Sequence, residues 1–183
     1  MTSIEILRVV LHPVRRRIVE YLHLHGPAQV GTLARGLDQQ VGSISHHLRM
    51  LERAGIVVRA PELETDGRTS WWRLEVGRLS WSVDDFEASA DRVRARAAEK
   101  MNIDYQLGRL VAWKRTADQA PQDWREAAVA SDFSVMATAA ETKELWRRID
   151  AAVTGWRDWC DEREPDGERE PVFGFLHIFP SRP

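Results

Sequence analysis

The stretch LARGLDQQVGSISHHLRMLERAGIV, residues 33–57, decides the fold of this chain. Within it, residues 41–54 have the spacing of an amphipathic helix. Its apolar face is formed by three side chains: Ile44, Leu48 and Leu51. Gly55 follows and is typical of a helix C-terminus. The polar residues 38–40 precede it, so the sequence predicts two helices joined by a tight turn.

The opposite face of the helix at residues 41–54 has an unusual composition. An ordinary surface helix carries Glu and Lys on its exposed face, but here the outward residues are Gly42, Ser43, His46, Arg49 and Arg53. Hydroxyl, imidazole and guanidinium groups hydrogen-bond to base edges and phosphates. Small residues at the N-terminal end would let the helix approach a ligand closely. This face is therefore a candidate nucleic-acid interface.

The elements around this helix complete a recognisable order. Upstream, the sequence predicts helices at residues 2–10, 13–25 and 30–37, with Pro13 well placed as a first helical residue. Downstream, residues 56–60 and 69–76 have the character of two strands, and Asp66-Gly67 between them is a turn signal. Three helices, a fourth helix and a β-hairpin are the order of a winged helix-turn-helix.

The rest of the chain predicts a mainly helical region with little sheet. A helix of some thirty residues is expected from Ser82, capped with Asp85, and a second helix from Thr138, capped with Glu141, to about Cys160. Strands are expected at residues 133–137 and 172–179. The predicted fold class is thus mainly α with small β. A winged helix-turn-helix domain at residues 1–79 is followed, at residues 80–183, by a long dimerisation helix and a strand-helix-strand unit.

The charge is distributed unevenly between these two regions. Residues 1–79 contain eleven Arg and eight acidic residues, whereas the remainder is net negative, and the whole chain has a formal charge of −2. Five of the six histidines also lie in the basic region. We expect only the first region to meet a polyanion.

Beyond these patterns, the sequence resembles one known family. HPVRRRIVEYL (residues 12–22), the stretch 33–57 and the hairpin after it are similar to the winged-helix domain of ArsR-type bacterial transcriptional regulators. The resemblance covers roughly residues 5–76. It implies a dimer that binds double-stranded DNA, with the Ser-x-x-His-His-Leu-type helix in the major groove and the wing on the flanking backbone. The residues it assigns to the DNA are Ser43, Ser45, His46, His47, Arg49, Arg68 and Thr69, with His47 nearer the buried edge of the helix or a phosphate.

Two departures from the family pattern matter for function. The family often has Gln-Pro at the start of this helix, where Val41-Gly42 stands here, which leaves Gln39 and Gln40 as substitute base readers beside Gly42. The family's metal-sensing members use a cysteine-containing motif in the third helix. The corresponding stretch QVGTLARGL, residues 29–37, has no cysteine, so we expect no arsenic or cadmium sensing there.

The dimer interface is expected on the first helix and on the long helix after Ser82. The residues assigned to it are Ile4, Leu7, Phe86, Val93 and Met101. Six of the eight tryptophans lie beyond residue 80, and Trp146, Trp156 and Trp159 belong to the last predicted helix. They fit either an aromatic effector pocket or an aromatic core or dimer seam.

Several function classes find no support in the sequence. There is no phosphate-binding glycine loop, nucleophile elbow or metal-spaced cluster, so we expect a protein that is not an enzyme, with no catalytic residues, cofactor or metal. The single Cys160 excludes an internal disulfide, and no stretch has the length of a membrane span, which fits a cytoplasmic protein with no membrane partner. Residues 15–17, three arginines, remain open between phosphate contacts and internal ion pairs.

The expected function is that of a transcriptional repressor that binds an inverted repeat as a homodimer, and the existence of a small-molecule effector stays open. Two alternatives remain. A winged-helix adaptor would bind another protein and would expose apolar anchors on the helix at residues 41–54, where only Met50 qualifies. A small hydrolase or transferase in the C-terminal region would need a polar cleft near Trp156 with an acid or His177.

Overall fold

The computed structural model describes residues 4–63, 70–76 and 81–181. The fold class is confirmed, since the chain is mostly helical with one small sheet. The first four helices are α1 (Ile4–Val10), α2 (Pro13–His25), α3 (Val30–Gly36) and α4 (Val41–Arg53). The later ones are α5 (Ser89–Thr116), α6 (Gln122–Ala127) and α7 (Ala139–Glu162). The four N-terminal helices lie within a few residues of their predicted bounds. The cap proposed at Thr2 lies outside the described residues.

A three-stranded antiparallel sheet follows the helices of the N-terminal region. Its strands are β1 (Ala28–Gln29), β2 (Val57–Arg59) and β3 (Trp71–Leu74), in the spatial order β1-β3-β2. In the register, Val57 lies opposite Leu74 and Ala28 lies opposite Trp72. The sequence predicted β2 and β3 but missed β1, because two residues give no readable alternation. The strands β2 and β3 form the hairpin that we call the wing.

The core of the N-terminal region lies between the helices and this sheet. Its fully buried members come from four elements: Ile18 on α2, Leu33 on α3, Ile44, Leu48 and Leu51 on α4, and Ile56 and Val57 at the start of β2. Trp72 is buried against the same cluster, whereas Trp71 is half-buried, as alternation along a strand requires. The stripe that predicted α4 is therefore the stripe that holds α4 in place.

The long helix α5 begins later than the sequence predicted. Ser82 and Asp85 do form the expected capping box, but it closes a single 3-10 turn at Val83–Asp85, and α5 starts only at Ser89. Phe86, between the two, turns inward and packs with Leu7, Ala95 and Ala98 in a second buried cluster. The early start was wrong because burial of Phe86 takes the chain out of the helical path.

The C-terminal part also differs from the prediction. The capping box of Thr138 and Glu141 is confirmed and opens α7. The strands predicted at residues 133–137 and 172–179 are wrong, since neither segment forms a strand in the described chain. Residues 133–137 alternate in hydrophobicity and residues 172–179 are apolar on both faces, but a strand also needs a neighbour for its backbone N–H and C=O groups. Neither joins a ladder with any described residue.

The chain divides into two compact units, Met1–Trp113 and Lys114–Pro183. The first unit contains the winged region and most of α5, whereas the sequence placed its boundary at residues 79–80. Every described residue that is buried belongs to the first unit, and the last of them is Ala98. The second unit contains α6, α7 and the two segments without regular structure.

Candidate nucleic-acid interface

Helix α4 presents its polar face to the outside of the first unit. Its inner side chains, Ile44, Leu48 and Leu51, have no exposed surface, so the direction of the opposite face is fixed. On that face Gly42, His46 and Arg49 are exposed, and Ser43 and Ser45 are half-buried. Within the described residues Arg49 has no ion-pair partner. The exposed face is therefore small and polar at its N-terminal end and cationic further along.

The turn before α4 is tightly built. Asp38 has a positive φ of 52°, a conformation that Asp tolerates better than most residues. The Gln39 backbone N–H donates to the carbonyl of Ala34 at 2.9 Å, and its side-chain amide donates to the carbonyl of Asp38 at 2.7 Å. Gln40 is the N-cap residue of α4 and is exposed, and its side chain makes no capping hydrogen bond. Of the two substitute base readers, Gln40 is thus the more available.

Gly42 has open space around it. A Cβ built there would meet no heavy atom within 4 Å, so packing inside the chain does not require glycine at this position. The contrast is Gly36, where a Cβ would lie 2.6 Å from the ring of Tyr21. Glycine at 36 serves helix packing, and the surface at 42 is left free for close approach from outside.

His47 points away from this exposed face. It is half-buried, and its ring centroid lies 4.8 Å from that of His12, just before α2. Its Nδ1 is buried and has no hydrogen-bond partner among the described residues. Burial first, and then the nearby positive charges of His12, Arg15 and His46, lower the pKa of His47. The expectation that His47 lies at the buried edge of the helix agrees with this placement.

The wing is described only at its base. Arg59 on β2 donates to the Ser70 hydroxyl at 3.3 Å, and Arg73 on β3 forms ion pairs with Glu62 and Glu75. The predicted backbone contacts Arg68 and Thr69 lie outside the described residues.

The three arginines at residues 15–17 have partners inside the first unit. Arg15 donates to the carbonyl oxygens of Val9 and Arg8, Arg16 donates to Asn102 at 2.9 Å and stacks on Tyr105, and Arg17 donates to the carbonyl of Leu37 at 2.7 Å. Their partners are carbonyls, an amide and a ring rather than the acids that the sequence suggested. Internal contacts thus account for all three side chains.

A polar network that the sequence did not reveal joins α2 to α5. The Tyr105 hydroxyl donates to Glu20 at 2.8 Å and accepts from Arg109 at 3.1 Å, and Arg109 also pairs directly with Glu20. Hydrogen bonds to Tyr105 and Glu20 outweigh burial and raise the pKa of Arg109. The contacts of Glu20 join it to residues more than 80 positions away, so no local pattern could reveal them.

The residues assigned to a dimer interface fall into two groups. Leu7 and Phe86 are buried in the chain's own second cluster and Ile4 packs partly against it, so these three offer little surface to a partner. Val93 and Met101 on α5 are exposed by 65% and 49%.

The three tryptophans assigned to an effector pocket do not converge. Trp146 lines an open cavity of about 280 Å³ together with Thr142, Lys143, Leu176 and Ile178. Trp156 and Trp159 are half-exposed on α7, where Arg163 stacks on the Trp159 ring. Helix α7 has no buried residue, so these side chains form no core within the described chain.

The described ranges lack two other kinds of site. No group of three or more His, Cys, Asp or Glu side chains in the described ranges could hold a metal ion. No helix in that part of the chain is long and apolar enough to cross a membrane.

Comparison with protein families identifies the first unit. Residues 10–60 match the family described as "Helix-turn-helix domain", and this range spans α2, α3, α4 and β2. The chain carries a winged helix-turn-helix domain. Helix α4 occupies the position of the recognition helix in such domains, the second helix of the helix-turn-helix, which enters the major groove in known complexes.

Solved structures similar to the chain include other regulators. One, described as "Possible transcriptional regulator for arsenical resistance", has 30% sequence identity, and the match covers 59% of this chain and 94% of that one, with a TM-score of 0.34. An ArsR family transcriptional regulator has 19% identity over 60% and 88% of the two chains, with a TM-score of 0.33. A transcriptional regulator from Thermotoga maritima has 14% identity over 81% and 85%, with a TM-score of 0.32.

All three TM-scores lie below 0.5. No curated protein matches the sequence. The assignment of the winged helix-turn-helix domain rests on the family match, the element order and the motifs in the sequence.

Proposed function

We propose that the protein is a transcriptional repressor that binds double-stranded DNA as a homodimer at an inverted repeat. In this proposal α4 enters the major groove and the wing contacts the flanking backbone. The observation that carries it is the exposed face of α4, where Gly42, His46 and Arg49 stand opposite a completely buried apolar face. These groups suit base edges and phosphates.

The proposal assigns a different role to each residue of the face. His46 and Gln40 are exposed and would read base edges, and Arg49 would contact a phosphate or a guanine. Ser43 and Ser45 would hydrogen-bond to the DNA backbone. They lie near the N-terminus of α4, where the helix dipole favours phosphate. Gly42 would allow the close approach that these contacts need.

The adaptor alternative has less support on this face. A protein-binding helix exposes several apolar anchors at helical spacing. On α4 the anchor expected from the sequence, Met50, is half-buried, and the exposed large apolar residue is Val41 at the first turn. One such residue offers a partner protein little area.

A DNA titration tests the proposed function. Duplexes enriched from a random-sequence pool should bind with an affinity that falls steeply as salt rises, because phosphate contacts release counterions. We expect His46→Ala to cost about 1–3 kcal/mol on the preferred sequence and to relax base preference. Arg68→Ala should weaken all sequences alike.

The matched control is His23→Ala, which removes an exposed imidazole from α2 of the same domain. It should leave both affinity and preference unchanged. If His46→Ala also left both unchanged, the assignment of this face to the major groove would be wrong. Binding of no duplex at any salt concentration would favour the adaptor.

The dimer part of the proposal rests on geometry that DNA imposes. Two recognition helices must lie about 34 Å apart to enter successive major grooves. Val93 and Met101 are exposed on α5 and remain candidates for the interface. Sedimentation of the wild type should give twice the chain mass, and Met101→Glu should shift the protein towards the monomer, with Lys100→Glu as the neighbouring control. A monomeric wild type under DNA-binding conditions would contradict this part.

For an effector we propose a single binding site. The cavity beside Trp146 is just below the volume of typical ligand pockets and has Lys143 in its lining. A ligand there would regulate DNA binding only by binding one state of the protein more tightly than the other. The absence of cysteine from residues 29–37 argues against arsenic as this effector.

A further inference from the structure

A histidine contact connects the start of α2 to the recognition helix. The ring of His12, which directly precedes α2, lies 4.8 Å from the ring of His47 on α4, with an angle of 40° between the planes. His47 in turn meets the ring of His46 nearly edge-on at 5.5 Å. His46 is the exposed imidazole on the proposed DNA-binding face. A chain of ring contacts thus runs from the start of α2 to the exposed imidazole of that face.

Hydrogen bonding favours the neutral form of His12. Its Nδ1 accepts a hydrogen bond from the Val14 backbone N–H at 3.3 Å and so caps the N-terminus of α2. A protonated Nδ1 has no lone pair with which to accept this bond. Protonation would remove the cap and leave an unpaired N–H at the first turn.

The surroundings of His47 also disfavour a charge. Its Nδ1 is buried without a hydrogen-bond partner in the described ranges, and a protonated nitrogen there would be a buried donor with nothing to donate to. Burial is the first cause that lowers the pKa of each imidazole, of His12 as well as His47.

The charges that act on the pair are all of one sign. From the α2 side they are His12 itself and Arg15, whose guanidinium is fixed by carbonyl oxygens at the end of α1. From α4 the neighbouring group is His46. On α1, Glu5 and Arg8 pair with each other at the exposed surface. No described carboxylate contributes to the shift of either imidazole, so a proton on one of them meets only like charges.

We propose that His12 and His47 are positioning residues that form a proton-sensitive joint, through which a fall in pH weakens DNA binding by the recognition helix. The inference rests on the proposed function of α4. Because burial and like charges lower the pKa of both imidazoles, protonation would begin only below about pH 6.5, the ordinary pKa of histidine. It would place a cation beside Arg15 and remove the cap of α2. The contact between His12 and His47 would then be lost, and α4 would shift so that His46 no longer meets the bases.

The expected direction opposes ordinary electrostatics. Extra positive charge on a DNA-binding domain normally tightens binding, because phosphates attract it. If one proton must be released for binding, the dissociation constant rises by up to about tenfold for each unit of pH below the pKa of the joint. The sign of the pH dependence therefore separates the two effects.

The test measures duplex binding between pH 7.5 and 5.5 at constant ionic strength. The probe is a duplex enriched from a random-sequence pool at pH 7.5. His12→Asn keeps a capping oxygen but cannot be protonated, so it should bind within about threefold of the wild type at pH 7.5. We expect the wild type to weaken as pH falls and His12→Asn to weaken much less, whereas the control His23→Asn should follow the wild type. Wild-type binding that is constant or tighter at low pH, or an equal loss in His12→Asn, would overturn the proposal.

A second measurement examines the joint without DNA. An NMR titration of the imidazole protons should give His47 a pKa below the ordinary value, and this pKa should rise in His12→Asn because a neighbouring cation has been removed. The proposed function fails if no duplex binds at any pH. The joint fails, whatever the DNA result, if the titration of His47 is the same in both proteins.

Discussion

The two units of this chain differ in how far they bury their apolar side chains. In the winged helix-turn-helix domain, Ile44 and Leu48 on α4 are fully buried against α2, α3 and the wing. In the unit Lys114–Pro183, Trp156 and Trp159 lie on a helix that is nearly twice as long as α4, yet both are half-exposed. No described residue of that unit is buried.

The difference teaches what an amphipathic stripe does and does not specify. A stripe fixes which face of a helix prefers to leave water, but burial also requires a neighbour with a complementary surface. In the winged helix-turn-helix domain, neighbours on the same chain supply that surface. In the second unit, α7 and the segments 128–138 and 164–181 leave apolar side chains facing solvent, Met136 almost completely at 98%.

A pair of truncations tests this contrast and has the largest expected effect. Leu48→Ala should lower the free energy of unfolding by about 3 kcal/mol, since it leaves a cavity at a fully buried site. Trp156→Ala should lower it by less than about 1 kcal/mol, because half of that side chain is already in water. Urea unfolding followed by circular dichroism at low protein concentration measures both.

The contrast between the two units is wrong if both truncations lower the free energy of unfolding by the same amount. An equal cost would mean that Trp156 is buried in the protein as it exists in solution. Repeating the measurement at a tenfold higher protein concentration then shows which surface buries Trp156. Stabilisation by a second copy grows with concentration, whereas stabilisation within one chain does not.

Much of the first unit could be predicted because its signals are local. Spacing and caps gave α2 its exact bounds and α4 to within one residue. The capping box at Ser82 was also correct as a local motif, but the helix after it started late because Phe86 packs against Leu7, nearly eighty residues away. The two strands predicted in the C-terminal region were wrong for the same reason, since neither the alternation at residues 133–137 nor the apolar run at residues 172–179 identifies a pairing partner.

The same distinction between local signals and long-range contacts applies to the candidate site. The outward direction of His46 and Arg49 follows from the period of one helix, and the structure places both on the exposed face. The contact between His12 and His47 spans 35 positions and has no such period. The sequence identified Pro13 as a first helical residue but carried no signal that His12 caps α2 or contacts His47.

A hydroxyl deletion sharpens the boundary between the two regions. Tyr105 on α5 donates to Glu20 on α2, so α5 belongs energetically to the winged helix-turn-helix domain at least as far as Arg109. Tyr105→Phe should lower the free energy of unfolding of that domain by about 1.5 kcal/mol, since a hydrogen bond to a charged group is lost. The measurement is again urea unfolding.

Tyr21→Phe is the matched control for this deletion. Tyr21 lies on α2 and its ring contacts His25, but its hydroxyl forms no hydrogen bond within the described residues. It should cost less than about 0.5 kcal/mol. If Tyr105→Phe cost no more than Tyr21→Phe, the network would not hold α5 to the domain.

The smallest stability effects come from two glycines that look alike in this structure. Gly42 on α4 and Gly155 on α7 both lie in helices with open space where a Cβ would stand. Replacing either with Ala should stabilise its helix by up to about 1 kcal/mol, because alanine has the higher helix propensity.

Only Gly42→Ala should weaken DNA binding, by about fivefold, because its methyl group would stand between α4 and the bases. Thermal unfolding and duplex titration of the two variants separate the effects. Equal DNA affinity in both would mean that close approach at Gly42 is not used, and a loss of stability in Gly155→Ala would mean that a partner surface already fills the space beside α7.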